Sequence, residues 1–286
     1  MIHQFLSSLS QPNQQELERL NDRMGQFYAQ ASEANYWETS ESTNEAWHPN
    51  THKFHCYLRD LIAPHAKVVD FGCGSAHPAR HLGNPERYTG IDWGEKQTQI
   101  NQSNYPDADF ICSDIYTTPL LENSADWAVS FYVLEHCVWP QKMLDEMYRV
   151  VRPGGHIAII CPNCRPNMMP SMWSGLTASP SIRTKLQRLN LPDVISHILD
   201  KKFRFPNFCK SSNLTGGEFL IYPEPACLYS DWRPDTDAVY WADQSEVINY
   251  LTRKGGSVVG DRDSVDSNAT ETLFCVVQKH ALPNSQ

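Results

Sequence analysis

Val68-Val69-Asp70-Phe71-Gly72-Cys73-Gly74-Ser75-Ala76 constrains this chain more than any other stretch. A short β-branched run reaches a carboxylate and passes at once into two glycines one residue apart. The segment reads as a buried strand entering a turn so tight that a ligand can lie against bare backbone. Glycine reaches the φ/ψ values such a turn needs and carries no side chain to obstruct the approach. Gly-x-Gly is equally compatible with an ordinary strand-to-helix turn, so the rest of the chain must decide its meaning.

Further strands follow at regular intervals. Tyr88-Thr89-Gly90-Ile91-Asp92 ends in a second carboxylate, and Asp109-Phe110-Ile111-Cys112 leads into Ser113-Asp114-Ile115. Asp126 to Phe131 reads as a fourth strand and His156 to Cys161 as a fifth. Helical patterns separate them: a short one from Pro78 to Leu82, Lys96 to Asn104, a turn or short helix from Tyr116 to Leu121, and a stripe of Met143, Leu144, Met147, Val150 and Val151. Strands alternating with helices predict an α/β fold with a doubly wound, mostly parallel sheet. Ligands of such sheets sit beyond the carboxyl ends of the strands, where Asp70, Asp92, Asp114 and Ser130 all fall. Residues 165–240 interrupt the rhythm with Pro, Asn, Ser and aromatics, and helices are expected near Ile182–Leu189 and Asp193–Asp200. A helix from Gln244 to Lys254 and strands at Ser257–Gly260 and Thr272–Val277 then restore it. The expected organisation is a core of residues 54–164 and 241–280, a cap insertion at 165–240 on the acceptor side, and an N-terminal segment 1–53. That segment holds an amphipathic helix from Gln14 to Gln30 and an aromatic stretch, Asn35 to Ser42, that could act as a flap.

The carboxylates suggest a nucleoside. Asp92 at a strand end can accept from two vicinal ribose hydroxyls, and Asp114 can accept from an exocyclic amine while the Ile115 backbone pairs the ring. A tail lying over Gly72–Gly74 could then belong to a dinucleotide or to S-adenosyl-L-methionine. The dinucleotide fingerprint wants a third glycine where this chain has His77, which disfavours a nicotinamide-dependent oxidoreductase.

Asp70-Phe71-Gly72-Cys73-Gly74-Ser75-Ala76 resembles the first motif of class I S-adenosylmethionine-dependent methyltransferases. Gly90-Ile91-Asp92 resembles their second motif and Ser113-Asp114-Ile115 their adenine-contacting turn. Val133-Leu134-Glu135-His136 and the stretch from Glu146 to Gly155 resemble later motifs of the small-molecule branch called type 11. The resemblance implies a Rossmann-like sheet of seven strands with an antiparallel last strand. It also implies that Asp70, Gly72 and Gly74 hold the methionine moiety, and Asp92 the ribose. Trp93, Asp114 and Ile115 would then hold the adenine, while Ser130 and Phe131 line the sulfonium. His136 is the candidate base for a hydroxyl acceptor, such as a sugar or glycan precursor; the competing role is a helix cap or packing residue. Tyr132-Val133-Leu134-Glu135-His136 offers one carboxylate where some ubiquinone-pathway relatives carry two around a divalent metal, so no metal is expected. A binding protein without catalysis fits the same motifs.

Composition narrows the partners. A net charge of −9 argues against a grip on nucleic acid, and no apolar run is long enough for a membrane span. Nine cysteines and no signal-like N-terminus predict reduced thiols in the cytoplasm. Cys161-Pro162-Asn163-Cys164 lacks the second pair a structural zinc needs. Between Arg183 and Lys210, seven Lys/Arg face only Asp193 and Asp200, a local +5 that could recognise an anionic acceptor.

Overall fold

The computed structural model describes residues 12–31, 52–76, 82, 84–163, 186, 189, 191–199, 202–203, 207, 219–223, 225–228 and 237–280. The alternation resolves into seven strands: β1 (Val68–Phe71), β2 (Tyr88–Asp92), β3 (Asp109–Cys112), β4 (Ala125–Phe131), β5 (Val151–Pro162), β6 (Gly256–Asp261) and β7 (Thr272–Lys279). They form one sheet in the order β3-β2-β1-β4-β5-β7-β6. The first five run parallel, while β7 is antiparallel to both β5 and β6. Strand order reverses between β1 and β4, and the crevice at their carboxyl ends is where such sheets take ligands.

Both faces of the sheet are covered, so its central strands carry near-continuous apolar runs instead of alternating ones. All four residues of β1 are buried. On one face Val69, Phe71, Ile91 and Ala128 pack with Leu20 and Met24 of α1 (Gln14–Ala31), with α4 (Pro140–Val150) and with α6 (Gln244–Arg253). On the other, Val68, Val129, Ile160 and Phe274 pack with Phe54 and Leu58 of α2 (Lys53–Leu61). α3 (Glu95–Asn104) lies against β2 and β3. α5 (Leu191–Leu199) belongs to the segment between β5 and α6, and a short α7 (Arg262–Asp266) follows β6.

Three local features sharpen or correct the sequence pattern. β5 begins five residues early, because Val151 pairs with Ala125 before a register shift lets Gly154 (φ 79°) and Gly155 carry the strand along β4. A Cβ on Gly155 would stand 2.6 Å from the Asp126 carbonyl oxygen, so the close approach requires glycine there. Residues 116–121 form turns and no helix. They are held by the Glu146 carboxylate, which accepts from Thr118 N (2.8 Å), Thr118 Oγ1 (2.6 Å) and Arg149 Nε (2.7 Å), while Arg149 also donates to Leu120 O (2.9 Å). Finally, α7 is nucleated by a capping box in which Asp261 accepts from Ser264 N and Ser264 Oγ from Asp261 N. The short helix expected at Pro78–Leu82, the one near Ile182–Leu189, the aromatic stretch Asn35–Ser42 and most of 165–240 lie outside the described residues.

Candidate functional site

β1 leads into the glycine turn, which rests on β2. Gly72 N and Cys73 N both donate to Ile91 O, at 2.8 and 2.9 Å. Gly72 (φ 78°) and Gly74 (φ 49°) occupy the left-handed region. A Cβ on Gly72 would lie 2.5 Å from Val133 Cγ1, so this glycine is fixed by both conformation and space. Gly74 is gripped from two sides: its N–H donates to Asp92 Oδ2 (2.9 Å), and its carbonyl accepts from Asn101 Nδ2 (2.7 Å). Ala76 also sits at positive φ, 60°, a conformation that costs a β-carbon residue about 1 kcal/mol.

Asp92 is nearly buried, and each of its oxygens takes one backbone N–H, Oδ2 from Gly74 and Oδ1 from Gly94 (2.9 Å). Burial raises its pKa, opposed by these hydrogen bonds. Asp70 is pushed further, up to about 7: burial dominates, the Tyr88 hydroxyl (2.8 Å to Oδ2) opposes it, and the nearby Asp92 charge adds to it. Asp70 Oδ1 and Ser130 Oγ, both buried, have no hydrogen-bond partner among the described residues. Strand register puts Asp70, Gly90 and Val129 in line, so Asp70, Asp92 and Phe131 share one face while Ser130 points to the other. Phe131 packs its ring on His55, centroids 5.0 Å apart.

The adenine-side candidates gather beyond β2 and β3. Asp114 Oδ1 accepts from Tyr116 N (2.8 Å), and Ser113 N donates to Asp92 O (2.9 Å), which ties the two strand ends together. Ile115 is half-buried against the first core. Trp93 meets Tyr116 edge to face, and its indole lies against α1 at Gly25, where a Cβ would stand 3.3 Å from the ring.

His136 lies in a 3-10 turn, Leu134–His136, reached through Tyr132 at φ 58°. Two buried carboxylates flank its imidazole: Glu135 Oε1 is 3.7 Å from Nε2, and Asp237 Oδ2 is 3.7 Å from Nδ1. Tyr28 of α1 donates to the same Asp237 oxygen (2.9 Å) and meets the His136 ring edge-on. The Glu135 carbonyl accepts from Val239 N and Tyr240 N (both 2.8 Å), pinning the chain near Asp237 to this turn. The geometry gives His136 polar neighbours from distant segments. Among the described residues no group of three or more His, Cys, Asp or Glu is disposed to hold a metal ion.

Comparison with known proteins bears on the same strands. Residues 69–159 match a family model described as a methyltransferase domain. A Mycolicibacterium smegmatis protein named a probable S-adenosylmethionine-dependent methyltransferase is 33% identical over 98 residues, covering 34% of this chain and 38% of the relative. A demethylmenaquinone methyltransferase of Paenarthrobacter aurescens is 29% identical over 150 residues, covering 49% and 56%. The fold matches a solved S-adenosylmethionine-dependent methyltransferase from Mesorhizobium loti with a TM-score of 0.51 at 14% identity, over 81% of this chain and 100% of that one. Residues 69–159 form a class I methyltransferase domain of the type 11 branch. The chain spans 38% and 56% of the length of the two curated relatives.

The methyltransferase domain fits the cosubstrate its family uses, S-adenosylmethionine. Each Asp92 oxygen has accepted a single N–H, leaving capacity for a diol. The buried Asp70 Oδ1 is an acceptor suited to an ammonium. Asp237 and Tyr28 contact His136 or its partner, Asn101 holds the Gly74 carbonyl and Tyr88 donates to Asp70, and sequence reading singled out none of the four as site candidates. Only Asn101, at a helical position facing the glycine turn, carried a local signal. His77, which weighed against a dinucleotide, lies outside the described residues.

Proposed function

We propose that the chain transfers a methyl group from S-adenosylmethionine to a hydroxyl on a lipophilic small molecule, with His136 as the base. The observation that carries this reading is the meeting of His136 with Asp237 and Tyr28 beside the methyltransferase motifs. The cosubstrate, when bound, supplies a methyl group already activated on a sulfonium. The chain's own residues therefore need to orient the acceptor, exclude water and remove one proton. Asp92 would hold the ribose; Asp70, Gly72 and Gly74 the methionine end; Trp93, Asp114 and Ile115 the adenine; Ser130 and Phe131 would border the reacting sulfur.

His136 would take the acceptor's proton, and the Asp237 and Glu135 carboxylates beside Nδ1 and Nε2 would stabilise the imidazolium that results. Transfer would form one O–C bond and break one C–S bond, with the hydroxyl proton passing to the imidazole. The sequence pointed to a sugar or glycan precursor. The relatives named for demethylmenaquinone and for phthiotriol and phenolphthiotriol dimycocerosates favour lipid and quinone acceptors instead. The seven free thiols among the described residues suit the reducing cytoplasm, and we take 165–240 to be a cap over the acceptor.

The test is a radiolabelled-methyl screen of aqueous and organic-phase cell extracts. Wild type should label a discrete product in the organic phase. His136→Ala should lose that label while still binding S-adenosylmethionine. Equal labelling by both proteins would remove His136 from the chemistry.

A further inference from the structure

The segment between β5 and α6 holds a surface that methyl transfer does not account for. Twelve large hydrophobic residues are exposed among the described ones, and seven of them fall between Leu186 and Phe203. On α5, Leu191 (56% exposed), Ile195 (57%), Ile198 (40%) and Leu199 (38%) are spaced four, three and one residues apart. At 100° per residue this places them in a single arc about 100° wide. Val194, beside that arc, is buried (7% exposed), so the helix is anchored there while its apolar stripe stays exposed. Isolated exposed leucines need no explanation, but a contiguous helical stripe does.

Charge narrows the occupant. The stripe runs in sequence into Lys201-Lys202-Phe203-Arg204, where Lys202 and Phe203 are exposed. The surrounding residues 183–210 carry seven Lys/Arg against two Asp, within a chain of net −9. An apolar stripe next to clustered lysine and arginine matches a surface that is apolar beneath and anionic at its face. A second copy of the chain, stripe on stripe, would bring two +5 segments together and be repelled. Among the described residues no helix is long and apolar enough to cross a membrane, so any such contact would lie along the surface.

We propose that α5 and the basic residues after it dock the protein on an anionic lipid bilayer, with Leu191, Ile195, Ile198 and Leu199 entering the headgroup boundary. The inference stands apart from the methyl-transfer reading, although a lipophilic acceptor would be met at such a surface. Docking of this kind combines apolar burial, which salt leaves intact, with a Coulombic contribution that salt screens.

The test is co-sedimentation of the full chain with vesicles of phosphatidylcholine alone and of phosphatidylcholine mixed with phosphatidylglycerol. Wild type should bind the mixed vesicles at least tenfold more tightly than the neutral ones, and less tightly as salt rises. Ile195→Glu with Leu199→Glu should weaken that binding at least tenfold, as should Lys201→Glu with Lys202→Glu. Both double variants change positions away from the motifs, so their thermal melting and their S-adenosylmethionine binding should match wild type. That separates loss of docking from loss of the methyltransferase site. The proposal is overturned if wild type ignores anionic vesicles or if the stripe variants bind them normally. It is also overturned if sedimentation shows a wild-type dimer that Ile195→Glu with Leu199→Glu dissociates, since the stripe would then be a self-contact.

Discussion

The cofactor side and the His136 cluster are built in opposite ways. On the cofactor side, Asp70, Gly72, Gly74 and Asp92 sit at the ends of two neighbouring strands, and the sheet itself sets their spacing. The His136 cluster draws Tyr28 from α1, Glu135 and His136 from the turn after β4, and Asp237 from the last residues of the 165–240 insertion. One is fixed by backbone hydrogen bonds and forbidden side chains, the other by the docking of segments more than a hundred residues apart in sequence. The first should therefore respond to substitution all or none. The second should respond by degrees and leave cofactor binding intact.

The sharpest break is expected at Gly72. Gly72→Ala forces a Cβ to 2.5 Å from Val133 in a left-handed backbone and should cost at least about 3 kcal/mol in a denaturant melt. Val133→Ala in the same chain should restore part of the loss. If Gly72→Ala melts like wild type, the turn is not the rigid half of the comparison.

Asp70 sharpens the contrast through pH. Its carboxyl titrates near 4 in an unfolded chain and at about 7 when folded. Between those values the native protein holds a proton that the unfolded chain has released, so stability falls as pH rises from about 4 to about 7. Above 7 the cost is complete, at up to about 4 kcal/mol. Asp70→Asn should remove that slope, raise the melting temperature at pH 8 and leave it little changed at pH 4. The same variant should weaken S-adenosylmethionine binding at least tenfold. A cofactor-side carboxylate would then be a stability cost that binding offsets.

The His136 cluster should break more gently. Asp237→Asn should lower the methyl-transfer rate about ten- to a hundredfold, and Tyr28→Phe by less, with calorimetric S-adenosylmethionine affinity unchanged in both. If both variants lose cofactor affinity, the two regions are one. The smallest effect is expected at Ala76: with φ at 60°, Ala76→Gly should stabilise the chain by no more than about 1 kcal/mol in the same melts.

The same contrast explains what the sequence could and could not reveal. β3 was legible to the residue, and Asp92 was legible as a strand-end carboxylate, because strand patterns and adjacent glycines are local signals. The antiparallel β7 was anticipated through the family resemblance, and its burial along Thr272–Lys279 shows why its run is nearly all apolar. The fifth strand was expected to begin only at His156, because Pro and Gly usually interrupt regular structure. Here pairing with β4 overrides that propensity. The Tyr88 hydroxyl on Asp70 and the Asp237 carboxylate beside His136 are contacts across the fold, 18 and 101 residues apart in sequence, and no periodicity encodes them. His136 itself was legible as a candidate base; what orients it was not.

The central claim is that the β1–β2 glycine turn and Asp92 form an adenosyl site. It is tested most directly by isothermal titration of S-adenosylmethionine into wild type and Asp92→Ala, with circular dichroism confirming that the variant is folded. Wild type should bind with one site per chain, and the folded Asp92→Ala variant should bind at least a hundredfold more weakly. Equal affinity in the two proteins would contradict the assignment of Asp92 to the ribose and, with it, this account of the site.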